Sequence, residues 1–211
     1  MRKIINRFSA VFARERFLAG TVTATVALYT LNLVGKYLCG LYSLLLLDTV
    51  FVLCILFLYA AYRRHNKNVQ KGLLGAILMW YLYDEVNYAV DNILFNREAF
   101  TRYDNFYGHG YLMMSLVTVV LFAALFVNHF IINSDHHSRP VNVFLNQLLV
   151  LVIATLSLLS AVFQCVVVTG DFPSVFEAIT WHVGLAAFVL MLAAYESRFD
   201  AYKLRREQKA P

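Results

Sequence analysis

The chain has 211 residues, of which 60% are hydrophobic and 15% are Asp, Glu, Lys or Arg. A water-soluble domain carries roughly 25% charged residues and could not hide so much apolar side chain, which excludes a soluble globular protein. The formal charge of +5 comes with no recognised nucleic-acid-binding motif, so nucleic acid is not an expected partner.

Residues 1–16, MRKIINRFSAVFARER, alternate apolar and basic side chains. Ile4, Ile5, Phe8, Val11 and Phe12 can share one helical face, opposed by Arg2, Arg7 and Arg14. This predicts an amphipathic helix lying in the interface of an anionic leaflet. Six apolar runs follow, at 17–37, 41–62, 72–95, 111–133, 142–169 and 174–197, each long enough for a span of ~20 residues. The expected fold is therefore all-α, a polytopic bundle of six transmembrane helices over 17–197, with a basic tail at 198–211.

The first run carries Gly20 and Ala24, a small-xxx-small pair suited to close helix packing. Only Lys36 to Leu41 separates it from the second, so the two form a tight helical hairpin. Asp48 stands alone in the second run, in LLLLDTV. The third run ends in WYLYDEVNYAVDN, residues 80–92. Its Asp84, Asn87 and Asp91 are spaced i, i+3, i+7 and share a face; Glu85, Tyr88 and Asn92 form a second stripe.

His109 follows in YGHGY, read as an outer loop, and Tyr103, Tyr107 and Tyr111 suit an aromatic belt. His129 lies near the inner end of the fourth run and needs no special role. His136 and His137, in the short polar loop SDHHSRP, read as solvated. The fifth run holds Gln164. The sixth opens with DFPS, where Ser174 and Glu177 have the spacing of a capping box, and carries His182 in ITWHVG.

Lysine and arginine give the orientation. With six spans, fifteen of the 18 basic residues fall on one side of the membrane. The positive-inside rule then places both termini in the cytoplasm, with the basic segments on anionic lipid and the protein in the plasma membrane. Eight of the 13 acids fall in the outer half or outside it. At 1.5 Å per residue, Asp84 lies ~18 Å along the third span, and Asp48 and His182 lie ~10–12 Å below the outer surface. A carboxylate at the centre of a span costs ~2.5–3.5 kcal/mol, and this reading finds no lysine or arginine at that depth to neutralise it.

The pattern predicts an outward-facing acidic pocket in which Asp48, Asp84, Glu85, Asn87, Asp91, Gln164 and His182 bind or transport a cation or small polar solute. Two other readings stay open. One is a structural or sensory subunit, or homo-oligomer, acting through a membrane partner. The other is an intramembrane metal-dependent hydrolase of a lipid-like substrate, with a bound metal ion held by His and Asp. No Walker loop, HExxH or GxSxG is present, and the last span has one histidine and no HxxxH pair. Cys39, Cys54 and Cys165 are scattered, without a CxxC, and indicate neither a disulfide framework nor a cysteine metal site.

Overall fold

The computed structural model describes residues 10–64, 66–90, 106–133, 140–167 and 172–207. Six long helices account for almost all of them: α1 (Glu15–Leu38), α2 (Tyr42–Arg63), α3 (Lys67–Val90), α4 (Phe106–Asn133), α5 (Pro140–Val167) and α6 (Phe172–Glu207). No strand occurs among the described residues. The helices other than α3 are long and apolar enough to cross a membrane. Large apolar side chains cover the outside of the bundle, among them Leu46, Phe57, Met113, Val120 and Phe172, each at least 66% exposed. Water would penalise such a surface, whereas lipid tails solvate it, so the helices suit a membrane protein.

Sequence-adjacent helices run antiparallel. Arg63 meets Glu15 at one end of the α1–α2 pair, and Lys36 meets Asp48 at the other. Asn128 of α4 donates to the carbonyl of Asn142 in α5. α6 returns alongside α1, with Asn32 against Glu177 and Arg198 against Ala13. One end of the bundle thus carries Arg63, Arg64 and Arg198, and is called the basic end below.

The α1–α2 turn shows how sequence sets the hairpin. Gly40 adopts φ +75°, a left-handed conformation that glycine takes without steric cost. Leu41 N–H then bonds the carbonyl of Lys36, and Gly40 N–H that of Tyr37, the paired bonds of a Schellman C-cap. Lys36 is therefore in the last turn of α1, not in the connecting loop. Threonines along α1 turn their hydroxyls onto carbonyls of the preceding turn, as Thr25 does to Thr21 and Thr30 to Val26, so they add no unsatisfied donor within the membrane.

α6 is the central helix. From Gly184 to Ser197 nearly every residue is buried, so this stretch has no lipid-facing side. Ala186, Ala193 and Ala194 let neighbouring helices approach. Halfway along, an aromatic cluster joins the bundle. Tyr81 of α3 stacks on Phe188 and Trp181 of α6 and on Phe122 of α4, at 4.8, 6.0 and 5.4 Å between ring centres. Its hydroxyl meets that of Tyr29 on α1.

Several expectations change. Gly20 and Ala24 point outward, and a Cβ at Gly20 would meet nothing. The close approach of α1 to α6 is instead at Gly35, where a Cβ would lie 3.0 Å from the Cα of Glu177. Residues 106–110 begin α4 and are not a loop. Gly110 lets Phe163 of α5 pack against that first turn, since a Cβ there would come within 2.8 Å of its ring. α6 continues to Glu207, so the first part of the basic tail is helical. Most of the amphipathic segment lies outside the described residues. Of its described part, residues 10–12 are helical, the helix breaks at Ala13 and Arg14, and residues 15–16 open α1; Phe12 is buried against Phe17.

Candidate functional site

At the end opposite the basic one, α1, α2 and α6 bring polar side chains together inside the bundle. Lys36 is 5% exposed. Its Nζ lies 2.5 Å from Oδ2 of Asp48 on α2 and 4.6 Å from the centre of the Trp181 ring on α6. The ammonium is thus held by a carboxylate on one side and an aromatic face on another. Both contacts strengthen when water is excluded.

One turn earlier on α1, Asn32 is fully buried. Its Nδ2 donates to the Glu177 carbonyl at 2.9 Å, to Thr180 Oγ1 at 3.2 Å and to Glu177 Oε1 at 3.3 Å. Its Oδ1 is buried with no hydrogen-bond partner among the described residues. Gly35 allows this geometry: between Asn32 and Lys36 on the α6-facing side, only a residue without Cβ lets the two backbones come this close.

The ion pair corrects the reading that no basic side chain reaches the buried acids. Asp48 was expected to be alone; Lys36 neutralises it. Because α1 extends to Leu38, Lys36 starts from inside the helix, and its four-carbon stem carries the charge deeper. Glu177 is also recast. α6 already begins by Phe172, so Ser174 sits within its first turn and Glu177 faces Asn32 on α1.

The other predicted site residues are distributed as follows. His182 Nε2 and Gln164 Oε1 are 2.6 Å apart, linking α6 to α5. Asn87 is exposed, on the same side of α3 as Tyr83 and Val86. Gln70, Leu74, Ile77, Leu78 and Tyr81 form the buried stripe of α3. The side chains of Asp84 and Glu85, and the whole of Asp91, lie outside the described residues. His136 and His137 do too. Among the described residues no group of three His, Cys, Asp or Glu side chains is arranged to hold a metal.

A second polar group, near the basic end, was not anticipated. His129 of α4 and Glu196 of α6 are 2% and 3% exposed at the side chain, with Nδ1 and Oε1 2.5 Å apart. Asn146 of α5 donates its Nδ2 to Oε2 of the same carboxylate. Next to it, Gln147 donates to Ser197 Oγ at 2.8 Å. The available signal was spacing from the ends of the apolar runs: His129, Asn146 and Glu196 lie close inside the ends of runs 111–133, 142–169 and 174–197 that meet at the same side of the bundle.

Comparison with protein-family models, with curated proteins and with solved structures returns no match.

Proposed function

We propose that this chain is a membrane carrier for a small organic cation, bound at the polar group between α1, α2 and α6. The observation that carries the reading is the setting of the Lys36 ammonium, buried between the Asp48 carboxylate and the Trp181 ring. A carboxylate, an aromatic face and a spare amide oxygen at Asn32 are the groups that recognise an ammonium or guanidinium ion. In the empty carrier Lys36 takes the place of that ion. A solute cation displaces it from Asp48. His182 with Gln164 supplies polar contacts on the α5 side.

The orientation follows from the basic end facing the cytoplasm. α3 crosses the membrane with the other five helices. Its Gly75 faces His129 of α4, and six residues on its Tyr81 stacks on Phe122. The two helices run antiparallel across these contacts, which supports a crossing by α3.

The test is uptake of labelled guanidinium, which stays charged at all relevant pH, into proteoliposomes. Wild type is expected to show saturable uptake and Asp48→Asn a loss of about tenfold or more. Wild-type vesicles that take up no more guanidinium than protein-free ones would overturn the carrier reading.

A further inference from the structure

The proposed site leaves the His129–Glu196–Asn146 group unused, and charge balance shows what it can do. Glu196 sits within the membrane-spanning part of α6, and His129 within that of α4. Both oxygens of the carboxylate are engaged by protein, one by His129 Nδ1 and one by Asn146 Nδ2. A carboxylate with a neutral imidazole leaves a net charge of −1 in a medium that penalises it strongly. One added proton makes the pair neutral, whether as imidazolium with carboxylate or as imidazole with carboxylic acid.

Charged and titratable groups frame the pair on the surrounding helices. On α6, Arg198 donates to the Ala13 carbonyl at 3.1 Å and lies 5.4 Å over the Tyr62 ring, and Tyr195 packs on Tyr62. On α2, Arg63 meets Glu15 of α1 at the surface. α5 contributes the neutral amides of Asn146 and Gln147. On α3, His129 Nε2 faces Gly75, and Lys71 stands one turn before it.

We propose that the His129–Glu196 pair is a proton-binding site that holds one exchangeable proton and communicates with the basic end of the bundle. Both residues lie two positions from the end of their apolar stretches, Ile131 and Arg198, which places the pair toward the basic end. The step makes or breaks only an N–H or O–H bond, and the released proton goes to water on the basic side. The pair sits fifteen residues along α6 from Trp181, ~22 Å. One helix therefore carries both sites, and proton binding at one end can be exchanged for cation binding at the other. This second role rests on the carrier reading; the proton site itself does not.

Two measurements separate these claims. The first is an infrared difference spectrum of the full chain in nanodiscs between acid and alkaline buffer. Wild type is expected to show carboxyl or imidazole bands that Glu196→Gln and His129→Gln both remove, while Lys71→Gln keeps them. Bands unchanged in a folded Glu196→Gln or His129→Gln protein, or lost in Lys71→Gln alone, would overturn the site. Should Glu196→Gln fail to fold, Asn146→Ala decides instead. It leaves Glu196 Oε2 without its donor and is expected to shift the bands, and their persistence at the wild-type position would overturn the proposal. The second measurement is guanidinium transport under an imposed pH gradient. Wild type should accumulate guanidinium, and Glu196→Gln should retain guanidinium exchange while losing at least about tenfold of the gradient-driven accumulation. Infrared bands that behave as expected, without guanidinium uptake in wild type, would sink the carrier reading and leave the proton site standing.

Discussion

Replacing Lys36 by methionine keeps most of the side chain's length and packing and removes its charge. Asp48 would then be buried without a counter-ion, and breaking such a pair by removing one partner costs about 3–5 kcal/mol. The double variant Lys36→Met, Asp48→Leu should recover that loss, because an apolar pair of similar volume is usually neutral or stabilising. Thermal unfolding in detergent measures both effects. It also separates a binding site from a structural joint. If the ammonium occupies a solute site, millimolar guanidinium should restabilise Lys36→Met and leave the double variant unchanged. If the pair only joins α1 to α2, guanidinium should move neither. The charged partner of Asp48 was present in the sequence all along, but depth taken from rise per residue assigns a side chain to its Cα level. A lysine reaches several ångströms further, and the Schellman turn that keeps Lys36 helical became visible only with the φ of Gly40.

Between elements, the contact that positions the candidate site is α1 against α6. A methyl group at Gly35 would meet the Cα and Cβ of Glu177 at 3.0 and 3.1 Å. The nearest of these is backbone, so no side chain can swing aside, and the helices must separate. Gly35→Ala is expected to destabilise by about 1–3 kcal/mol, the usual cost of overpacking. Gly20→Ala, facing open space on the same helix, should be neutral or stabilising by up to about 1 kcal/mol, because alanine favours the helix. The same pair of thermal melts reads both. Equal effects would show that α1 is not clamped at Gly35. Existence and order of the helices were legible from the apolar runs, though α3 is shifted toward the N-terminus of its run and α6 continues past its run to Glu207. The face each run buries was less so. On α3 the polar spacing drew the eye to Asn87, which is exposed, and of the apolar residues Leu74, Ile77, Leu78 and Tyr81 are buried while Met79 and Trp80 are exposed. Apolar periodicity fails to separate faces in a membrane helix, because lipid and core are both apolar.

For the whole molecule, span count and orientation are one question. Six crossings put both ends of the chain on the basic side, and five would separate them. α3 is the helix that decides, since it alone was not apolar enough to stand as a span among the described residues. Its antiparallel packing on α4 and the aromatic stack with α6 argue for a crossing. The native cysteines provide the measurement. Cys39 is the C-cap of α1, at the far end from Arg63 and Arg198, and is partly exposed, whereas Cys54 lies in mid-helix. In intact cells a membrane-impermeant maleimide is expected to label a variant that keeps Cys39 alone and to leave a Cys54-only variant unlabelled. Tags at the N- and C-termini should both be reached by antibody only after permeabilisation. Tags found on opposite sides would take α3 out of the membrane, and the acidic positions at its end would then face water, where they need no bound cation. Cys39 protected and both tags exposed would keep six spans and invert the molecule, putting the Lys36 site on the cytoplasmic side and the His129–Glu196 pair on the outside.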